Sequence, residues 1–214
     1  MTKIFLIRHG ETGSNSQKRY MGWIDEGLNS NGLNQAYAVA KRLENIKIAA
    51  IYSSPLKRAI ETITPLANKL GLKVTPVDGL GEMRMGPWEG LNEEQIKTQY
   101  PEEWMIWRAS PHKLLIQGRE DLNSMQVRVV RATQKICEIH RNDEIVFATH
   151  DAVIRVLIAY VIGSDTSIYR RIGVSNGSIS IIRMRSDWAE IELLNDICHL
   201  DGTCHSGSIL GIKN

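Results

Sequence analysis

The feature that most constrains the fold is a short apolar run that ends in a reactive pair. The apolar residues 4–7 predict a buried strand, and Arg8, His9 and Gly10 follow it directly. In an open α/β sheet, ligands bind at the carboxyl ends of the strands. Arginine pairs with two phosphate oxygens at once, and histidine offers a nitrogen nucleophile near neutral pH. The stretch therefore predicts an α/β protein that transfers a phosphoryl group to an imidazole, although three residues alone would also fit a surface turn.

Composition narrows the class of protein. The 214 residues suit one α/β domain, so we expect a single domain over 1–214. The net charge of +2 gives no argument for nucleic acid or for an anionic membrane as partner. No apolar run approaches the ~18 residues of a membrane-spanning helix, and no signal peptide precedes the first strand. The odd set Cys137, Cys198 and Cys204 has no disulfide-framework spacing, so we expect reduced thiols and a cytoplasmic location.

The order of segments is an α/β pattern. Apolar runs bounded by turn residues predict strands, and apolar residues three or four apart predict helices. A long polar loop over 10–31 precedes a helix that Asn29, Ser30 or Asn31 would cap. The predicted strands are 4–7, 49–54, 73–77, 144–149, 178–185 and 189–194. The predicted helices lie around 36–43, 55–70, 92–100, 101–109, 121–141 and 152–162.

Two strand ends besides the first carry groups suited to phosphate. Arg58 lies in the first turn of the helix that follows strand 49–54, with Pro55 opening that turn. His150 ends strand 144–149, and the next helix begins at Ala152. Helix N-termini favour anions, so Arg58 could face the same phosphate as Arg8. His150 repeats the order of the first motif, with a strand, a histidine and then a helix N-terminus.

A glutamate in a Gly-rich turn fits a surface position when it is taken alone, although its chemistry also suits a general acid. Glu82 lies within residues 80–90, with Met85 and Trp88 close by in sequence. A departing alkoxide needs a proton in the transition state. Apolar neighbours would raise the pKa of this carboxyl towards neutral, which suits an acid at physiological pH.

Several stretches together resemble the histidine phosphatase superfamily, which includes phosphoglycerate mutases and many phosphatases. Residues 6–15 match Leu-Ile-Arg-His-Gly-Glu-Thr-x-x-Asn, and 53–59 match Ser-Ser-Pro-Leu-x-Arg-Ala. The resemblance implies a mutase-like α/β fold with a doubly wound, mostly parallel sheet flanked by helices. It also implies that His9 forms a phosphohistidine and that Glu82 is the general acid. The implied phosphate pocket is completed by Arg8, Arg58, His150 and Asn15.

The chain resembles one branch of that superfamily more than the others. It lacks the insertion with extra arginines that mutases carry after the glutamate segment. Pro-His-Lys at 111–113, Gln-Gly at 117–118 and Cys-His-Leu at 198–200 resemble the metal-independent phosphoserine phosphatases. The resemblance implies a phosphoserine phosphatase of serine biosynthesis with a small phosphorylated substrate, no metal and no cofactor.

Three alternatives stay open at this point. A phosphoglycerate mutase would return the phosphoryl group to a second sugar acid. A phosphatase for another small phosphoester, such as alpha-ribazole phosphate, would use the same chemistry. A non-enzymatic phospholigand-binding module would require loss of a core residue, and none is lost. The oligomeric state also stays open, with a homodimer as one option.

Residues beside the phosphate depart from the relatives. Met85 and Met21 stand where relatives have a histidine, an aromatic or a polar residue, and a thioether recognises neither a carboxylate nor an ammonium strongly. Asp151 stands where relatives often have glycine, which disfavours phosphate unless the side chain points away or caps the helix. The expected substrate contacts are therefore Gly22, Met85, Asp151, Ala152, His199 and His205, with the loop around Arg84 as a further candidate. The two Cys-His pairs of the tail fit no common zinc spacing.

Overall fold

The structure is a computed structural model that describes residues 1–185 and 188–200. Within them, six strands form one sheet in the order β3-β2-β4-β1-β5-β6. The strands are β1 (Thr2–Arg8), β2 (Ile48–Ser53), β3 (Val74–Pro76), β4 (Glu144–Thr149), β5 (Ile179–Arg185) and β6 (Trp188–Asp196). The α-helices are α1 (Gly13–Ser16), α2 (Ser30–Leu43), α3 (Lys57–Leu70), α4 (Glu93–Gln99), α5 (Pro101–Ala109), α6 (Leu122–Ile139) and α7 (Asp151–Val161). Short 3-10 turns cover Asp78–Leu80, Gly86–Trp88, Pro111–Lys113 and Thr166–Arg171.

The sheet is mostly parallel. Strand β1 pairs in parallel with β4, and β2 pairs in parallel with both β4 and β3. Strand β5 is antiparallel to both of its neighbours, β1 and β6, so it alone runs in the reverse direction among the described strands. The prediction of a doubly wound, mostly parallel sheet is confirmed.

Helices cover both faces because apolar side chains alternate along the central strands. Phe5 and Ile7 of β1 face α2 and α3, together with Val146 of β4. Ile4 and Leu6 face the opposite side, where α6 and α7 pack. Strands that are buried on both faces are apolar throughout, as the run at 4–7 is. This sandwich places the carboxyl ends of β1 and β4 side by side at one edge.

The element boundaries differ from the prediction in a few places. The loop over 10–31 contains the short helix α1, which Thr12 caps. Helix α3 begins at Lys57, so Pro55 lies before its first turn and not inside it. Asn29 is the cap of α2, and its side chain accepts the N–H of Gly32 at 2.8 Å. None of the described helices is long and apolar enough to cross a bilayer.

One cysteine differs from the expectation of reduced thiols. Cys198 is disulfide-bonded, whereas Cys137 is free and buried. The expectation of three reduced cysteines is therefore wrong. Cys204 lies outside the described residues.

Two glycines pack the start of α2 directly on the turn that follows His9. A Cβ on Gly32 would lie 2.1 Å from the carbonyl oxygen of Glu11, and one on Gly10 would lie 2.6 Å from that of Gly32. Both obstacles are backbone, which cannot yield as a flexible side chain can. We expect Gly32→Ala to destabilise the protein by about 3 kcal/mol in chemical denaturation, the upper end for overpacking.

The matched control is Gly173→Ala. A Cβ at Gly173 would meet nothing closer than 3.9 Å, so this variant should unfold within about 1 kcal/mol of wild type. The Gly32 variant should also lose turnover, because the displaced backbone carries the turn beside His9. Equal stability of the two variants would contradict the close packing.

Candidate active site

A cavity of about 370 Å³ lies at the carboxyl ends of β1 and β4. Its volume suits a small-molecule ligand. The cavity wall brings together nine of the residues that the sequence predicts for the site: Arg8, His9, Asn15, Gly22, Arg58, Glu82, Met85, Asp151 and Ala152. The wall carries five arginines against two carboxylates, so the cavity favours an anionic ligand.

His9 is held in one tautomer by its neighbour. Its Nδ1 lies 2.7 Å from the carbonyl oxygen of Gly10, which can only accept a hydrogen bond. Nδ1 therefore carries the proton, and Nε2 keeps its lone pair. Burial, and after it the charges of Arg8 and Arg58, lower the pKa of His9 well below its usual value. The ring is thus neutral and nucleophilic at Nε2 near neutral pH.

His150 lies behind His9 and not on the cavity wall. It is fully buried, and the centroids of the two imidazole rings are 5.1 Å apart. Its Nε2 lies 2.7 Å from Oγ of Ser54, and that oxygen already accepts the N–H of Leu56. A hydroxyl oxygen can accept a second hydrogen bond or donate its own proton, so this contact does not fix the tautomer of His150. The Nδ1 of His150 is buried with no hydrogen-bond partner among the described residues.

Backbone carbonyls hold the two arginines that the sequence predicts for the phosphate. Arg58 is only 3% exposed, and it donates to the carbonyls of Ile24 at 3.0 Å and Gly22 at 2.8 Å. Arg8 donates to the carbonyl of Val174 at 2.6 Å. Carbonyl oxygens carry no net charge, so these contacts fix the guanidinium groups without neutralising them. The role of Gly22 is therefore to position Arg58 through its backbone.

Glu82 has the environment of an acid that is still partly protonated at neutral pH. Burial raises the pKa of Glu82 to about 7, and the Asp151 carboxylate also raises it. The N–H of Met83, which donates to Oε1 at 2.8 Å, works in the opposite direction. The indole N–H of Trp23 donates to the backbone carbonyl of Glu82 at 2.6 Å and fixes this turn.

Asn15 presents its donor group to the cavity. Its Oδ1 accepts the N–H of Thr12 at 3.1 Å and the side-chain amide of Asn176 at 3.0 Å. With Oδ1 occupied, Nδ2 is the group left for a ligand on the cavity side. The role of Asn15 as a further phosphate donor stays a prediction.

Asp151 neither points away from the cavity nor caps α7. Its Oδ2 accepts Nε of Arg155 at 2.8 Å, and its Oδ1 lies 3.7 Å from Nη1 of Arg8. Oδ1 is buried and has no hydrogen-bond partner among the described residues. The cap position belongs to His150, whose side chain makes no capping hydrogen bond. The cavity thus contains a carboxylate that a phosphate site alone does not need.

Two predicted substrate contacts among the described residues, His199 and Arg84, are not on the cavity wall. The Nε2 of His199 lies 3.0 Å from the carbonyl oxygen of Gly177, because the chain after β6 folds back on the turn before β5. The guanidinium carbon of Arg84 lies 4.0 Å from the ring centroid of Trp23 instead. His205 lies outside the described residues. The structure therefore gives no support for substrate contacts by His199 and Arg84.

Seven cavity residues are absent from the sequence-based site. They are Thr12, Arg19, Tyr20, Trp107, Arg155, Tyr169 and Arg170. Met21, which the sequence analysis placed beside the phosphate, is also on the cavity wall. Arg155 could have been predicted from the sequence, because it lies one helical turn after Asp151 and carries the opposite charge. Trp107 is supported from behind by Arg119, a buried residue whose guanidinium carbon lies 4.6 Å from the Trp107 ring centroid. Burial lowers the pKa of Arg119 to about 10.

The described residues contain no group of three or more His, Cys, Asp or Glu side chains that could hold a metal ion. The charge that faces a ligand comes instead from arginines. A neutral imidazole nucleophile, buried guanidinium groups and a carboxyl of raised pKa make a site for phosphoryl transfer. Together with the doubly wound sheet, they define the class as a phosphoryl-transfer enzyme that uses histidine.

Comparison with known proteins agrees with this class. Residues 4–197 match the model of the Histidine phosphatase superfamily (branch 1). Phosphoserine phosphatase 1 of Hydrogenobacter thermophilus is 34% identical over 200 residues, covering 94% of this chain and 95% of that protein. The solved structure of Bacillus stearothermophilus YhfR has a TM-score of 0.90 and 28% identity, covering 94% of this chain and all of that one.

A second solved structure adds a ligand. A mutant phosphoserine phosphatase from Entamoeba histolytica, in complex with phosphoserine, has a TM-score of 0.84 and 27% identity. The alignment covers 94% of this chain and 100% of the Entamoeba histolytica chain. The chain described here belongs to the histidine phosphatase superfamily, branch 1, and the predictions of family, fold and phosphatase class are confirmed.

Proposed function

We propose that this protein is a metal-independent phosphatase that hydrolyses phosphoserine through a phosphohistidine on His9. The observation that carries the proposal is the state of His9 in the arginine-rich cavity. Its Nδ1 is bound to a carbonyl oxygen, its pKa is lowered by burial, and Nε2 is left as the nucleophile.

In the first half-reaction, Nε2 of His9 attacks phosphorus and the bond from phosphorus to the serine oxygen breaks. Arg8 and Arg58 bind the equatorial phosphoryl oxygens, with His150 as a further donor. Protonated Glu82 gives its proton to the departing alkoxide, so serine leaves as a neutral alcohol. The products of this step are serine, ionised Glu82 and phosphohistidine.

In the second half-reaction, water attacks the phosphorus of the phosphohistidine. The Glu82 carboxylate accepts a proton from that water, and the bond from phosphorus to Nε2 breaks. Phosphate leaves, and His9 and Glu82 return to their starting protonation states. A carboxyl group with a pKa of about 7 can act as acid and base in turn at neutral pH.

Phosphoserine is the proposed substrate because of the relatives. The 34% identical protein is named a phosphoserine phosphatase, and a structural neighbour is in complex with phosphoserine. A turnover panel tests the proposal with phosphoserine, 3-phosphoglycerate, alpha-ribazole phosphate and p-nitrophenyl phosphate. We expect phosphoserine to have the highest kcat/KM among the natural esters, with release of free phosphate.

Other outcomes of the panel would assign a different function. A mutase would convert 3-phosphoglycerate to its isomer without releasing phosphate. Preference for alpha-ribazole phosphate would keep the mechanism and replace the substrate. Binding of all esters without turnover would indicate a phospholigand-binding module. The cytoplasmic location, the single domain over 1–214 and the homodimer stay predictions.

The proposed function uses arginine side chains, and not a metal ion, to stabilise the phosphoryl group in the transition state, and this leads to a prediction. We expect Arg58→Gln to lower kcat by about 10²-fold or more, as removal of one donor to a transition-state oxyanion does. Arg131→Gln, on the exposed face of α6, is the matched control and should keep full activity. Wild-type activity should survive excess chelator. Activity that is lost on chelation and restored by Mg²⁺ would contradict metal independence.

A further inference from the structure

The cavity wall includes residues that the phosphoryl chemistry does not use. They come from the first turn of α7 and from the 3-10 turn Thr166–Arg171, and they include Asp151, Arg155 and Tyr169. Arg8, His9 and Arg58 hold the phosphate, so the rest of a substrate must lie against other groups. Asp151 lies next to the phosphate site, because its Oδ1 is 3.7 Å from Nη1 of Arg8, and its charge is opposite to that of the arginines.

Asp151 is held rigidly by its partner one helical turn away. Arg155 donates from Nε to Oδ2 of Asp151 at 2.8 Å and from Nη1 to the backbone carbonyl of Tyr169 at 3.0 Å. Its guanidinium carbon also lies 5.2 Å from the ring centroid of Tyr169. These contacts fix Arg155, and Arg155 in turn fixes which carboxylate oxygen of Asp151 is occupied.

The other oxygen of Asp151 is prepared for a donor that the protein does not supply. Oδ1 is buried without a hydrogen-bond partner among the described residues, and its ion pair with Arg8 is long, at 3.7 Å. A buried carboxylate oxygen without a donor is unfavourable. The same charge repels a phosphate dianion in the same cavity. Both costs are offset if the ligand itself brings a positive group to Oδ1.

Resting on the proposed function, we propose that Asp151 recognises an ammonium group on the carbon chain of the phosphoester and that Arg155 is its positioning residue. The substrate class is then a phosphorylated amine or amino acid, and a phosphorylated hydroxy acid is discriminated against. Met85, which also lines the cavity, offers only a thioether and cannot replace the carboxylate.

Two isosteric pairs of substrates isolate the ammonium group. Phosphoserine and 3-phosphoglycerate differ at one position, where the first has an ammonium and the second a hydroxyl. Phosphoethanolamine and 2-hydroxyethyl phosphate differ in the same way and both lack a carboxylate. We expect the wild-type protein to have the higher kcat/KM for the ammonium member of each pair.

Asp151→Asn keeps the shape of the side chain and removes its charge. We expect it to lower the selectivity ratio of both pairs by about 10- to 100-fold, the range for a hydrogen bond to a charged group. Arg155→Gln should lower both ratios to a smaller extent, and Arg155→Lys should restore part of them. Glu93→Gln, which removes the carboxylate of another i, i+4 pair on α4, is the matched control and should leave both ratios unchanged.

The kcat/KM ratios within each substrate pair distinguish recognition of the ammonium group from an effect on phosphoryl transfer. If Asp151 only orients Arg8 or only tunes Glu82, the Asp151 variant changes all four substrates alike and the proposal is overturned. If wild type turns over phosphoserine with ratios that the variant does not change, this inference fails while the proposed function stands. If phosphoserine is not a substrate but phosphoethanolamine is preferred to its hydroxyl analogue in an Asp151-dependent way, the proposed function fails and the inference stands.

Discussion

His9→Ala is expected to abolish turnover of phosphoserine and of p-nitrophenyl phosphate, with a loss of kcat of at least about 10⁴-fold. Both esters depend on the same attack by Nε2, so the quality of the leaving group cannot rescue the variant. Quenching wild type during turnover of a radiolabelled ester should give acid-labile, base-stable label on the protein. The variant should give none.

The matched control is His140→Gln. His140 lies between α6 and β4, near the amino ends of the strands, and it does not line the cavity; its ring contacts Tyr52 and Asp143. This variant should keep both turnover and labelling. Labelled phosphohistidine in the His9 variant would move the nucleophile to another residue. An unchanged unfolding midpoint in the His9 variant would show that its loss of turnover is chemical.

The site residues that the sequence predicts are those whose positions depend on the strand next to them in the chain. Arg8 and His9 follow a strand that is apolar on both faces, and His150 follows a second such strand. Parallel strands bring their carboxyl ends to the same edge, so the two histidines meet once both strands are recognised. The ring distance of 5.1 Å is the outcome of that topology.

The parts that the sequence does not predict depend on packing between distant segments. Tyr169 and Arg170 reach the cavity because a 3-10 turn docks beside α7, and no local pattern indicates that docking. The backbone contact between Gly10 and Gly32 likewise becomes visible only when α2 is in place. His199 was expected to reach the substrate through the tail, and in the structure its Nε2 lies 3.0 Å from the carbonyl oxygen of Gly177.

Asp151 shows how a departure from a family pattern gains meaning from the structure. From the sequence, an acid in place of glycine next to a phosphate site is a conflict. In the structure, Arg155 holds one of its oxygens and leaves the other without a donor. The conflict therefore disappears if the substrate carries a positive group next to Asp151. The sequence alone could not indicate this, because it does not show the direction in which the Asp151 side chain points.

Glu82→Gln is expected to slow formation of phosphohistidine from phosphoserine by about 10²- to 10⁴-fold, because an amide cannot protonate the leaving alkoxide. A nitrophenolate leaves without protonation, so phosphorylation by p-nitrophenyl phosphate should be nearly unchanged. The second half-reaction also needs Glu82, so steady-state rates would fall for both esters. Rapid-quench measurement of the first turnover is therefore the proper test, and the variant should release a burst of nitrophenolate equal to the enzyme present.

The pH profile tests the same role independently. Glu82 must be protonated in the free enzyme, and its pKa is raised to about 7, so kcat/KM for phosphoserine should fall tenfold per pH unit above that value. The pKa of His9 is lowered well below its usual value, so His9 adds no limb in this range. The second ionisation of the substrate phosphate, near pH ~6, adds an acid limb that wild type and variant share. The Glu82 variant should lose only the basic limb. If its first turnover slows equally for both esters and the basic limb persists, another group supplies the proton.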